Sequence, residues 1–170
     1  DYKVTGVQTC ALPISTRIAF AFQNPEDQIF KSKVYDEVAF GPRNLGLSET
    51  EIQQRVDGAL EMLGLLDTED EHPYDLNPAD RKLLTLASAV AMDTPIIIFD
   101  EPTTGQDATG LARITRMLQD LKQNNHTVIV ISHDLDFCAE NLETVMVMGG
   151  DRIIRHGDIA EVFSDQKLLN

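Results

Sequence analysis

Four consecutive large apolar residues, Ile96-Ile97-Ile98-Phe99, run into two carboxylates and a proline at Asp100-Glu101-Pro102. An apolar run of this length, bounded by Pro95 and Pro102, reads as a fully buried strand that ends in a functional loop. A second run, Thr127-Val128-Ile129-Val130-Ile131, lies one helix downstream and ends in Ser132-His133-Asp134. Two buried strands joined by a helix form a right-handed βαβ unit. Asp100, Glu101 and His133 then emerge at one edge of a parallel sheet, where open α/β sheets place ligand chemistry.

The remaining pattern alternates strand and helix periods. Ile18, Phe20 and Phe22 alternate with the small Ala19 and Ala21, which predicts a strand over Thr16 to Phe22. Val34 to Phe40 reads as a short helix stopped by Gly41-Pro42. Ser48 followed by Glu51 fits a capping box, and Ile52, Val56, Ala59, Leu60 and Leu63 continue at helical spacing to Gly64. The acidic group Asp67, Glu69, Asp70 and Glu71 reads as a solvated loop. Asn77 suits an N-cap and Pro78 the first helical position of a largely apolar helix through Met92. Asp107 suits the N-cap of a helix whose stripe is Leu111, Ile114, Leu118 and Leu121. Phe137 and Cys138 are expected to pack a helix against the sheet. Thr144 to Met148 and Asp151 to Arg155 flank Gly149-Gly150 as a hairpin, and Gly157-Asp158 caps a short helix to Phe163.

Length and charge narrow the partners. The 170 residues allow one domain with a sizeable core. With 28 acidic against 14 basic side chains the formal net charge is −14, which argues against a nucleic-acid partner or an anionic membrane surface. No stretch approaches the roughly 20 apolar residues of a membrane span, so a membrane role would be peripheral. Cys10 and Cys138 are too few for a disulfide framework or a zinc site.

The motifs together carry a resemblance. Phe22-Gln23-Asn24-Pro25, Asp100-Glu101-Pro102-Thr103, Thr104-Gly105-Gln106-Asp107 and Ser132-His133-Asp134 resemble, in order and spacing, the Q-loop, Walker B, D-loop and switch histidine of ABC-type ATPases. The wording Phe22 to Phe30, with Asp36-Glu37-Val38-Ala39-Phe40-Gly41-Pro42, is similar to the ATPase subunits of energy-coupling factor uptake transporters. The resemblance covers Thr16 to Phe163. It implies an α/β fold of the P-loop NTPase type, with a parallel core sheet and a helical subdomain at about residues 33–92. It also implies an ATPase that uses ATP and Mg²⁺. In that reading Glu101 polarises the attacking water, Asp100 and Gln23 hold Mg²⁺, and His133 contacts the γ-phosphate. Asn77 and Asp107 contribute at the nucleotide and the dimer interface. The implied partners are a second ABC ATPase subunit, in a heterodimer, and a transmembrane coupling subunit at the cytoplasmic face of the membrane.

Two departures qualify the resemblance. Where the family carries Leu-Ser-Gly-Gly-Gln, this chain has Leu76-Asn77-Pro78-Ala79-Asp80, followed by Arg81 and Lys82. Pro78 has no N–H, alanine replaces a glycine, and Asp80 adds a negative charge, so the motif is expected to be degenerate. The alternative is that Asp80 turns away to serve its own helix while Arg81 or Lys82 takes the anion contact. Gln106 also stands where the family has leucine. The second departure is that no glycine is followed by lysine, so the Walker A phosphate loop is missing from these residues.

Val4 to Ile14 resembles the translation of a widely used sequencing-library adapter and carries no helix or strand period. Residues 1–14 are therefore expected to be non-native, and 15–170 a partial ATPase domain, inactive alone and cut at both ends. A non-hydrolysing structural subunit of a heterodimeric ATPase pair is the competing functional class, against which Glu101 and His133 argue.

Overall fold

The computed structural model describes residues 16–164, so the segment 1–14 lies outside the described residues. The chain divides after Ile131 into two compact units.

In the first unit β1 (Ile18–Ala21), β2 (Ile96–Asp100) and β3 (Thr127–Ile131) form a parallel sheet in the order β1-β2-β3. The register pairs Ala19 with Ile97 and Ile97 with Val128, and on the opposite face Phe20 with Ile98 and Ile98 with Ile129. Ala19, Ala21, Ile97 and Phe99 on the first face are buried. On the second, Phe20 is 37% exposed, Ile129 40% and Ile131 49%. The expectation of fully buried strands is thus corrected. Among the described residues one face carries the core and the other is open. Isoleucine and valine suit a pleated backbone whether one or both faces are covered, so an apolar run does not distinguish the two cases. The β1 strand also ends sooner than the alternation of Thr16 to Phe22 implies.

The helices of this unit are α1 (Val34–Asn44), α2 (Glu49–Leu63), α3 (Pro78–Ala91) and α4 (Ala108–Gln123). The α1 helix is not stopped by Gly41-Pro42, as the sequence suggested, but continues to Asn44. Proline forfeits only its own N–H in that last turn, and Leu45 N–H still donates to Gly41 O at 3.1 Å and Pro42 O at 3.2 Å. Gly41 also lies close to the Met92 side chain just beyond α3, which would have to shift to admit a Cβ. The α2 helix opens on the expected capping box: Ser48 Oγ accepts from Glu51 N at 3.4 Å, and Glu51 Oε2 accepts from Ser48 N at 3.0 Å. It closes at Gly64 in the left-handed region, φ 68°. Ile52, Val56, Ala59, Leu60 and Leu63 are all buried, as their spacing predicted.

The α3 helix contacts α1, α2, β1 and β2. Leu83, Leu84, Leu86, Ala87, Ala89 and Ala91 are buried along it. On α4 the core stripe is Ile114, Leu118 and Leu121, joined by Met117.

In the second unit α5 (Leu135–Asn141) is followed by the antiparallel pair β4 (Thr144–Gly149) and β5 (Arg152–Asp158), then α6 (Ile159–Phe163). The expected hairpin is present, with an irregularity between Val147 and Met148. Asp158 caps α6, accepting from Ala160 N at 2.9 Å and Glu161 N at 3.2 Å. Phe137 and Cys138 are buried.

The unequal faces of the sheet predict unequal mutational costs. Phe99→Ala should lower the unfolding free energy by about 3–5 kcal/mol, and Ile129→Ala on the open face by only about 1 kcal/mol. Urea denaturation followed by circular dichroism measures both, and similar losses would contradict the one-sided core.

Candidate functional site

The carboxyl edge of the sheet is fastened from below by one side chain. Lys82, on α3, is buried, and its Nζ donates to Phe22 O at 2.8 Å, Gln23 O at 2.9 Å and Asp100 O at 2.8 Å. Burial pulls this ammonium down to about 8, while the nearby Asp100 and Glu101 charges pull the other way. Gln28 adds a second tether, its Oε1 accepting from Phe22 N at 2.9 Å and its Nε2 donating to Thr85 O at 3.2 Å. The backbone carbonyls of Gln23 and Asp100 thereby meet at one ammonium. Gln23 is exposed and Asp100 half-buried.

Glu101 follows β2 directly and has φ 46°, in the left-handed region that a glutamate rarely adopts. Its amide donates to Ile131 O at 2.8 Å, so the end of β3 fixes the turn. Pro102 then leads through Gly105, φ 75°, to Asp107. Asp107 is the N-cap of α4, with its Oδ1 accepting from Gly110 N at 2.8 Å. Gln106 Nε2 donates to Ala79 O at 3.0 Å, tying this loop to the first turn of α3.

Asn77 caps α3, accepting from Asp80 N at 2.9 Å, and its Nδ2 donates to Asp80 Oδ2 at 2.6 Å. The Asp80 carboxylate is thus engaged by its own helix, the alternative that the sequence left open. Lys82 is committed to backbone carbonyls, which excludes it as the replacement anion contact. Arg81 lies with its Cζ 5.6 Å from the centre of the Tyr74 ring.

His133 belongs to the second unit and is exposed. It precedes Asp134, the N-cap of α5, whose Oδ1 accepts from Phe137 N at 3.0 Å. Its part in a site with Glu101 rests on the sequence resemblance.

Sequence reasoning missed the roles of Lys82, Gln28 and Gln106. Lys82 had a signal: a lysine leading into the apolar run Leu83-Leu84 of a helix buried nearly all round needs an internal partner. Glu37 carried none. It is buried, and its Oε2 accepts from Phe30 N at 3.0 Å and Lys31 N at 2.8 Å, which holds the loop beside α1.

The family model for ABC transporters matches residues 6–104, and the chain belongs to that family. The energy-coupling factor transporter ATP-binding protein of Methanocaldococcus jannaschii is 39% identical over 152 residues, which cover 89% of this chain and 54% of that protein. A Pyrococcus furiosus protein, provisionally named an ABC transporter ATP-binding protein, is 36% identical over 166 residues, covering 96% of this chain and 64% of its own. Among solved structures, CbiO1 of Clostridium perfringens, part of the ABC transporter complex CbiONQ, superposes with a TM-score of 0.78 at 32% identity. That match covers 99% of this chain and 66% of CbiO1. The chain spans less than two thirds of the length of the first curated relatives it matches.

The donor set fits magnesium better than a softer metal. Among the described residues no group of three or more His, Cys, Asp or Glu could hold an ion alone. A hard cation that keeps its waters and substrate phosphates needs only one or two protein oxygens, which the Asp100 carboxylate and Gln23 amide can supply.

The cap at the head of α3 yields a stability prediction. Asn77→Ala should cost about 1 kcal/mol, whereas Asn77→Ser, which restores a capping oxygen, should stay within about 0.5 kcal/mol of the parent. Thermal and urea melts compare the two, and equal losses would show that the cap is not what secures the helix.

Proposed function

We propose that this chain carries part of the catalytic machinery of an ATPase subunit that powers an energy-coupling factor type ABC uptake transporter. The observation that carries the reading is the Asp100-Glu101 pair at the carboxyl edge of a parallel sheet, with Glu101 held in a strained backbone conformation. ATP and Mg²⁺ supply the transferable phosphoryl group and the charge that neutralises it. The protein's task is then positioning and electrostatic stabilisation. Glu101 accepts a hydrogen bond from the attacking water and takes up its proton as charge develops. Asp100 and Gln23 would hold the cation. His133 donates toward the terminal phosphate, and Asn77 stands at the helix end that faces the nucleotide of a second subunit. Asp107 lies at the crossing between the two subunits. No glycine of the 170 residues is followed by lysine, so none of them is assigned the phosphate-cradling role. The departures at Pro78, Ala79 and Asp80 support a heterodimer in which the site completed by this helix is the weaker one.

The M. jannaschii relative is named for an energy-coupling factor transporter, and CbiO1 for a transporter complex. The described helices include none long and apolar enough to cross a membrane. The subunit would then lie peripherally on the cytoplasmic face, gripping a transmembrane partner. An apolar groove of about 740 Å³ next to Gln23 suits that grip, with Phe20, Phe22, Phe30, Phe40 and Met92 in its walls. Lys31 Nζ sits 4.8 Å from the Phe30 ring centre and 4.6 Å from that of Phe40, which stiffens one lip. Phe30→Asp should reduce retention of the transmembrane component in pull-downs by about tenfold or more, in line with loss of an aromatic anchor. Unchanged retention would place the contact elsewhere.

The deciding experiment is Glu101→Gln in the complete protein assembled with its partners. ATP turnover is expected to fall by about 10²–10⁴-fold with nucleotide binding retained. Transport and turnover at the parent level would instead assign the chain to the non-hydrolysing, structural class.

A further inference from the structure

The β1–β2 ladder ends at the pair Ala21 and Phe99. Beyond that pair no strand-to-strand bonds hold the chain at residues 22 and 23 beside Asp100, although both stretches carry candidate metal-holding groups. Lys82 occupies the gap. A lysine ammonium has three donors, and all three are spent, on Phe22 O at 2.8 Å, Gln23 O at 2.9 Å and Asp100 O at 2.8 Å.

We propose that Lys82 is the positioning residue of the metal site, setting the spacing of Gln23 and Asp100 by gathering their backbone carbonyls onto one buried ammonium. The inference rests on the reading of those two residues as metal-holding. Packing alone does not account for a lysine here. An apolar residue would fill the same space at no desolvation cost, whereas a buried charge is tolerated only for the hydrogen bonds it makes. Lys82 is 3% exposed, so bulk water has little access to these bonds. Its origin matters too. Lys82 projects from the second turn of α3, so the carbonyls of both candidate residues are referred to the helix whose N-terminus is Asn77-Pro78-Ala79-Asp80. Gln28 reinforces the link by joining Phe22 N to Thr85 O of the same helix.

The test uses the complete protein with its ATPase partner and measures Mn²⁺ binding by electron paramagnetic resonance in the presence of ATP, with thermal melting as a control. Lys82→Met is expected to weaken Mn²⁺ binding in the nucleotide complex at least fivefold, while metal-free ATP binding in EDTA changes less than twofold. Lys82→Gln, whose amide can donate two of the three bonds, should fall between parent and Met. If Lys82→Met does not fold, Lys82→Gln is compared with the parent directly. Mn²⁺ binding at the parent level in a folded variant, even one with a lowered melting temperature, overturns the proposal. Failure of both variants to fold would make Lys82 a core residue and overturn it equally. Asp100→Asn separates the two layers of argument. If it weakens Mn²⁺ binding and the Lys82 variants do not, only the positioning role fails; if it has no effect, the metal reading fails and this inference with it.

Discussion

The burial of α3 is the constraint on which the first unit depends. A helix with one apolar face can rotate or slide on its support, but one buried nearly all round is fixed on every side. Leu83, Leu84, Leu86, Ala87, Ala89 and Ala91 meet α1, α2 and the sheet together. Small residues are buried on both partners, alanines on α3 and Ala19 and Ala21 on β1, and Gly41 on α1 lies against the Met92 side chain. Interiors packed to this density transmit displacement rather than absorb it. Lys82 is the polar expression of the same contact, joining α3 to Phe22 and Gln23 just beyond β1 and to Asp100 at the end of β2.

Much of this was legible because it follows from period and punctuation. The Ser48 capping box, the Asn77-Pro78 helix start and the Ile52-to-Leu63 stripe are local patterns whose physics is complete within a few residues, and all are found in place. The parallel pairing of β2 with β3 followed from the connection rule for two strands joined by one helix, whereas the place of β1 beside β2 was not read from it. What was not legible depends on distant partners. Gly41-Pro42 reads as a helix stop until Met92 is seen packed against the glycine and the last turn to tolerate the proline. The strands read as buried on both faces because nothing in an isoleucine run says how many layers cover it. At the candidate site the acids were visible as motifs, but Lys82, Gln28 and Gln106 act on backbone atoms dozens of residues away, and no spacing rule encodes such a contact.

The first turn of α3 shows two uses of one helix end in competition. A carboxylate at the N-terminus gains about 0.3–1 kcal/mol from the helix dipole, and Asp80 also receives the Asn77 amide. A phosphate arriving about 5 Å from that carboxylate would meet roughly 3 kcal/mol of repulsion at an effective dielectric near 20. The cost to the incoming anion exceeds the benefit to the helix. The end of α3 is thus arranged for its own stability, with Pro78 at the position where an N–H would otherwise face outward. This balance of energies is the physical ground, beyond motif counting, on which the asymmetric pair was proposed above.

Glu101 raises the opposite question, since its backbone is arranged against its own preference. Among the described residues three non-glycine residues have positive φ: Asp93 at 51°, Glu101 at 46° and Asn125 at 63°. Asp and Asn enter the left-handed region readily, because a short polar side chain can satisfy neighbouring backbone groups. Asp93 shows the kind of setting in which that suffices, in a loop where Arg55 Nη2 approaches its carboxylate to 3.2 Å. Glutamate has no such local advantage, and the conformation costs on the order of 1–3 kcal/mol wherever surroundings impose it. A glycine would have met the same turn without strain. That a glutamate stands there, pinned by its amide to Ile131 O and one residue beyond Asp100, means that the turn is paid for in return for a carboxylate at the edge of the sheet. The strain is therefore independent of the sequence motif, and it points to the same residue.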